Sequence, residues 1–242
     1  MTSVLLRDVS VEFPRRNSRK TKSVTALSEI NLELKAGDRL GIVGGNGSGK
    51  TTLLRVIAGI YPPTHGSREV DGEVGSMLDL GAGMNGLATG RDYILFRSKL
   101  MGRTKALALE TVLDATEFGG LGEFIDHPID SYSSGMRMKL LFCLATAVPP
   151  QILVMDEWLS VGDRDFKELA KKRISTFVKS AEILVLASHS QKLLQDSCNR
   201  FLMLDDGQGT EINDLAAYFK NKQIHRRGQG VRGRGRARRS ES

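Results

Sequence analysis

Gly44-Gly45-Asn46-Gly47-Ser48-Gly49-Lys50-Thr51, continued by Thr52, is the stretch on which the reading of this chain turns. It fits G-x-x-x-x-G-K-[ST], a loop whose glycines let the backbone wrap an anion and aim successive N–H groups at phosphate oxygens. The flanks agree with the motif. Leu40-Gly41-Ile42-Val43 predicts a buried strand feeding the loop, and Leu53, Leu54, Ile57 and Ala58 recur at helical spacing after it. The positive end of that helix adds to the field at the loop. Lys50 is expected to reach the β- and γ-phosphates, and the Thr51 hydroxyl to ligate Mg²⁺. A glycine-rich turn without a ligand is the plain alternative, and the strand–loop–helix context weighs against it. The loop implies a bound nucleotide and says nothing of its use.

Size and charge limit the classes around that loop. A chain of 242 residues can bury one sizeable core and a smaller inserted unit. Asp8 and Glu12 interrupt the N-terminus, so no secretory leader is expected. The longest largely apolar run, 140–148 with Thr146 inside it, is nine residues, against the roughly 20 that a membrane helix needs. The expectation is a soluble chain, at most peripheral to a membrane. Cys143 and Cys198 lack metal-ligand spacing and are expected to be buried without a disulfide. The net charge of +7 is localised: residues 225–242 carry seven arginines and one glutamate, which leaves the rest at +1. A nearly neutral body argues against nucleic acid as the partner.

Along the chain, Val4 to Phe13 and Ile30 to Leu34 alternate as strands, separated by a polar loop with five positive charges between Arg15 and Lys22. Pro62-Pro63 closes the loop–helix unit. From Met77 to Val148 helix formers and glycines dominate. Further buried strands are predicted at Ile152–Met155, Ile183–Ser188 and Phe201–Leu204. Strands alternating with helices predict an α/β domain with a mainly parallel sheet. From Arg226 onward almost nothing can pack, so the tail is expected to be disordered.

Four apolar residues put Asp156 at the C-terminal end of a buried strand, the edge where open parallel sheets bind ligands. There it can hold Mg²⁺ through water, and Glu157 can polarise the water that attacks the γ-phosphorus. Paired surface carboxylates are the plain alternative. Tyr132-Ser133-Ser134-Gly135-Met136 precedes an apolar helix running to about Val148. Such a start is either a second anion site, made of free N–H groups and hydroxyls, or an ordinary serine N-cap.

With Ser133 placed 23 residues ahead of Asp156, the order of motifs resembles the ABC ATPases, the nucleotide-binding subunits of ABC transporters, over residues 1 to about 222. The resemblance implies an α/β P-loop NTPase. Its RecA-like core (1–76 and 150–222) has a mainly parallel sheet and an N-terminal antiparallel β portion. A helical subdomain is inserted at 77–149 and a tail follows at 223–242. Tyr132 to Met136 is similar to the family's signature, keeping Ser133 and Gly135 while Ser134 and Met136 depart from the commoner Gly and Gln. Gly162-Asp163 resembles the turn after the catalytic glutamate, and His189 resembles the switch histidine that contacts γ-phosphate. Phe13 is similar to the aromatic residue that stacks on adenine; a core role is the alternative. By the same resemblance two copies pack head to tail. Each ATP then lies between one copy's phosphate loop and the other's Ser133, Ser134, Gly135 and Met136. Hydrolysis reopens the pair, with Glu157 as base.

Within the family, Leu78-Asp79-Leu80-Gly81-Ala82-Gly83-Met84, Thr89-Gly90-Arg91-Asp92 and the run from Asp156 to Asp163 resemble exporters of bacterial surface polysaccharides such as O-antigen and teichoic acid. Asp79 stands where most members carry a glutamine that senses Mg²⁺ and water; an exposed loop aspartate is the alternative. The resemblance implies a polytopic membrane permease as partner and a peripheral place on the cytoplasmic face of the inner membrane. A sugar-recognising C-terminal domain found in some members is not expected, so the choice of glycan falls to the permease. The arginine tail suits an anionic lipid surface at about 1 kcal/mol per basic residue, or is simply solvated. A soluble ABC-type ATPase whose Arg/Gly tail binds RNA is the main rival, against which stand the single phosphate loop and the lack of sustained heptads. A P-loop kinase or GTPase would lack the signature, and no Asn-Lys-x-Asp sequence is present.

Overall fold

The computed structural model describes residues 1–14, 23–78, 80–157 and 164–220, with backbone alone at 164 and 165. In chain order the elements are β1 (Ser3–Pro14), β2 (Ser23–Lys35), β3 (Arg39–Gly44), α1 (Lys50–Ile57), β4 (His65–Asp71), β5 (Val74–Ser76), α2 (Gly90–Leu100), α3 (Lys105–Glu117) and α4 (Ser134–Ala145). Then follow β6 (Ile152–Asp156), α5 (Arg164–Ser180), β7 (Ile183–Ala187), α6 (Gln191–Ser197), β8 (Arg200–Asp205) and β9 (Gln208–Glu211).

Among the described residues these strands form two sheets. One has the order β5-β6-β7-β3-β8-β9 and is parallel except for β9; the other is antiparallel, β2-β1-β4. β3, β6 and β7 are buried along nearly their whole length, which their unbroken apolar runs require of strands covered on both faces. Their alternate residues feed different cores. Ile152, Val154, Ile183 and Val185 join Leu53, Leu54 and Ile57 of α1 and the apolar face of β1 and β2. Leu153, Met155, Leu184 and Leu186 meet Phe142, Phe166 and Phe177 from α4 and α5 on the other side. Each of these fully buried side chains contributes on the order of 2 kcal/mol.

The pairing Ile42↔Ala187 of β3 with β7, and Asp156↔Ala187 of β6 with β7, aligns the C-terminal ends of three strands at one edge. The loop from Gly44, Asp156-Glu157 and His189 all emerge there.

Among the described residues, four of the named helix starts are capped by their own sequence, that of α6 by Ser190 Oγ, which accepts from Leu193 N at 3.3 Å. Thr89 Oγ1 accepts from Asp92 N at 3.1 Å, Thr104 Oγ1 from Leu107 N at 3.3 Å, and Ser133 Oγ from Met136 N at 3.2 Å. α4 stops at Ala145, short of the expected Val148: the Thr146 backbone leaves the helix, its hydroxyl bonds back to Phe142 O at 2.8 Å, and Pro149 and Pro150 bar continuation. The stretch before α2 is laced to the stretch before α4. Asp130 N donates to Gly86 O and Ile129 N to Ala88 O, both at 2.9 Å, and Thr89 bridges Pro128. A side chain at Gly86 would collide with the Asp130 carboxylate. Both cysteines are free, and burial pushes each thiol up to about 12, too high for a reactive thiolate at neutral pH.

Candidate nucleotide-binding site

The loop between β3 and α1 needs glycine at different positions for different reasons. A Cβ on Gly44 would strike Leu204 O and the Ser48 side chain. Gly47 and Gly49 have φ of 78° and 103°, in the left-handed region that side chains oppose. Gly49 also lies against Ala26 O, and as the cap residue of α1 it brings no side chain to the helix start. The helix therefore presents its backbone donors to whatever anion occupies the loop. Ser48 is buried, and its hydroxyl has no hydrogen-bond partner among the described residues.

Lys50 is 9% exposed and folds over the loop, its Nζ donating to Gly45 O at 2.6 Å and to Gly44 O at 3.3 Å. Burial lowers its pKa, and the negative charges of Asp156 and Glu157 oppose that shift. The Thr51 hydroxyl donates to Asp156 Oδ2 at 2.7 Å, linking the start of α1 to the end of β6. Glu157, exposed, adopts a left-handed backbone at φ 63°, and its N–H donates to Ala187 O at 2.8 Å. His189 is exposed one residue beyond Ser188, whose N–H reaches Ile42 O at 3.4 Å and whose Oγ accepts from Ser190 N at 3.0 Å.

These residues converge. A cleft of about 560 Å³ is lined by Asn46, Gly47, Lys50, Thr51, Asp156, Glu157 and His189, joined by Arg55, Met77 and Leu78. A larger recess, about 720 Å³, lies beside Gly44 and Gly45, but its lining from Leu204, Ile212, Asp214 and Tyr218 brings no cationic side chain. The cationic side chains Lys50 and Arg55 line the smaller cleft. Sequence reading missed its last three members. Two signals were available: Arg55 follows Thr51 by four residues and so shares its helix face, and Leu78 adjoins Asp79. The Arg55 guanidinium also lies 5.3 Å from the Tyr61 ring centre.

Other expected residues lie elsewhere. Phe13, at the end of β1, is 37% exposed and packs edge-on to Tyr61 at 5.6 Å, outside the cleft lining. Thr52 is half-buried on α1. Ser133 and Ser134 are exposed at the start of α4, with Gly135 and Met136 half-buried behind them, and none of the four lines the cleft. Asp79 and Asp163 lie outside the described residues, as does the arginine tail.

The ABC transporter family profile matches residues 27–160. The chain is 36% identical over 229 residues to the O-antigen export system ATP-binding protein RfbE of Yersinia enterocolitica, covering 86% of this chain and 96% of that protein. It is 40% identical over 193 residues to the O-antigen export system ATP-binding protein RfbB of Myxococcus xanthus, covering 80% of this chain and 44% of that one. It is also 38% identical over 205 residues to the teichoic acids export ATP-binding protein TagH of Enterococcus faecalis, covering 85% and 44%. The chain thus spans nearly all of the first relative and under half the length of the other two. Among solved structures, a dimeric ATP-binding cassette in a post-hydrolysis state with ADP and Pi matches at TM-score 0.66 and 20% identity, over 86% of this chain and 97% of that one. An ATP-binding subunit of an ABC transporter matches at TM-score 0.67 and 18% identity, over 90% and 93%. The matched span and the identity to RfbE along both chains lead to one conclusion: this chain belongs to the ABC transporter family, and it has the fold of that family's ATP-binding cassettes.

Proposed function

We propose that this chain is the ATP-binding and ATP-hydrolysing subunit of a transporter that moves a cell-surface polysaccharide across the inner membrane of a bacterium. The observation that carries the ATPase reading is the convergence of Lys50, Thr51, Asp156, Glu157 and His189 on one cleft. The polysaccharide reading rests on the export systems named for the relatives in Yersinia enterocolitica, Myxococcus xanthus and Enterococcus faecalis.

In this reading, ATP enters with its phosphates on the loop, and Lys50 exchanges the carbonyls of Gly44 and Gly45 for phosphate oxygens. The Ser48 hydroxyl and the backbone donors at the start of α1 are available to the same anion. Thr51 and Asp156 offer two hard oxygen ligands 2.7 Å apart, suited to Mg²⁺, which when bound would neutralise phosphate charge. Glu157 takes the proton of the attacking water, and His189 orients the γ-phosphate. Ser133 and Gly135 serve the nucleotide of a second copy, whose own signature serves this one. The exposure of Ser133 and the absence of both residues from the cleft lining suit that division. Splitting the donors between two copies makes hydrolysis conditional on closure, which couples it to a membrane partner.

Among the described residues no helix is long and apolar enough to cross a membrane. The assigned place is the cytoplasmic face of the inner membrane, against a polytopic permease, with residues 225–242 adding attraction to anionic lipid. Deleting the chain beyond His225 is expected to leave ATPase activity unchanged and to weaken binding to phosphatidylglycerol vesicles; equal vesicle binding would remove the lipid role.

The transport reading is tested in the bacterium that carries the chain. Loss of the chain is expected to strip the glycan from the surface and leave its lipid-linked form inside, the wild-type chain restoring export and Glu157→Gln failing to. Unaltered surface glycan in the deletion strain would rule the reading out.

A further inference from the structure

α5 and the signature helix α4 meet at a joint that none of the roles above uses. Phe118, just after α3, Phe142 of α4 and Phe166 of α5 pack as three rings with centres 5.5 to 6.3 Å apart. Arg173, two helical turns beyond Phe166 and so on the same face of α5, closes the cluster. Its guanidinium carbon lies 4.6 Å from the centre of the Phe118 ring and 6.0 Å from that of Phe142. Nη1 donates to Asp114 Oδ1 of α3 at 2.7 Å, and Nη2 to Thr146 O, at the end of α4, at 3.4 Å. One half-buried side chain thus ties α5 to α3, to a ring of α4 and to the carbonyl of Thr146, the residue that ends α4. The planar, fork-shaped guanidinium can stack and donate in two directions at once, which an ammonium cannot.

We propose that Arg173 is a positioning residue for Ser133, resting on the composite-site reading given above. α4 is a rod of 12 residues with Ser133 at one end and Thr146 at the other. At 1.5 Å per residue the rod is about 18 Å long, so a tilt of about 5° at the Arg173 end displaces Ser133 by about 1.5 Å. Misplacement of that size is enough to cost on the order of a hundredfold in rate. α5 begins seven residues after Glu157, so Arg173 ties the signature of one site to the helix that follows the base of the other.

The test separates this role from general stabilisation. Arg173→Met is expected to lower kcat by ten- to a hundredfold while ATP affinity, measured by equilibrium binding, moves less than twofold, because no residue of the cleft is touched. Arg173→Lys keeps the charge opposite Asp114 without the planar stack and is expected to recover part of the loss. If the methionine variant fails to fold, the lysine variant carries the same comparison. A fall in ATP affinity matching the fall in kcat would mean a merely structural role and overturn the proposal.

Mixed pairs locate the defect. Combining Arg173→Met with Glu157→Gln builds one site from the intact phosphate loop and Glu157 of the first and the intact signature of the second, so turnover is expected to exceed that of either variant alone. Ser133→Ala mixed with Glu157→Gln is the reference. Recovery in the reference pair but not in the Arg173 pair overturns the Arg173 assignment alone. Recovery in neither overturns the composite site and the Arg173 assignment with it.

Discussion

Replacing Glu157 by glutamine is expected to reduce phosphate release by a hundred- to ten-thousandfold while ATP binding stays within about twofold. A positioned general base contributes that range, and the amide keeps the size of the carboxylate but cannot accept the proton. Lys50, Thr51 and Asp156, the groups assigned to the nucleotide and its metal, are untouched. With binding intact and turnover blocked, the two-copy state should accumulate. Size-exclusion chromatography with light scattering is expected to show a monomer without nucleotide and a persistent dimer with MgATP. Hydrolysis at the wild-type rate would remove Glu157 as base, and a monomer at saturating ATP would remove the sandwich.

Lys50→Ala is expected to act at the earlier step, weakening ATP binding by about ten- to a hundredfold. A hydrogen bond to a charged group is worth about 1.5–3 kcal/mol, and Lys50 is the one lysine among the residues lining the cleft. Calorimetric titration with ATP checks this, and an unchanged dissociation constant would contradict the phosphate-loop assignment. The buried ammonium also sets the alkaline limit. Because burial lowers its pKa, against the pull of Asp156 and Glu157, the charge is lost at lower pH than on an ordinary lysine. ATP affinity in the wild type should decline as pH rises through that value, and the decline should be absent in Lys50→Ala.

The parts of the fold visible in the sequence were those whose chemistry is local. Gly44 to Thr51, with an apolar run before and helical spacing after, identified the strand, the loop and α1. The run Ile152–Met155 placed Asp156 at a strand end, where the Thr51 hydroxyl meets it. Strands that depend on a distant partner were not visible. β4 reads His-Gly-Ser-Arg-Glu-Val-Asp, with no apolar alternation, and exists because β1 pairs with it from Ser3↔Asp71 to Ser10↔His65. The first three residues of β2 are exposed, and Ile30–Leu34 alone shows in the sequence although pairing extends back to Ser23. Within the cleft, Met77 and Leu78 carry no chemical label, and only the packing of the chain after β5 brings them beside Lys50. Ser133 reads as a cap or as an anion donor, and the cap is realised in the single chain.

The left-handed backbone of Glu157 bears on how this enzyme could be made hardier. A side chain in that region costs roughly 1–2 kcal/mol that glycine would not, and no sheet or helix requires a carboxylate there. Selection for heat tolerance alone would therefore favour glycine at 157, yielding a sturdier protein whose cleft lacks its proposed base. Any laboratory evolution of this chain has to screen for turnover alongside melting temperature, because at this one position the two demands pull in opposite directions.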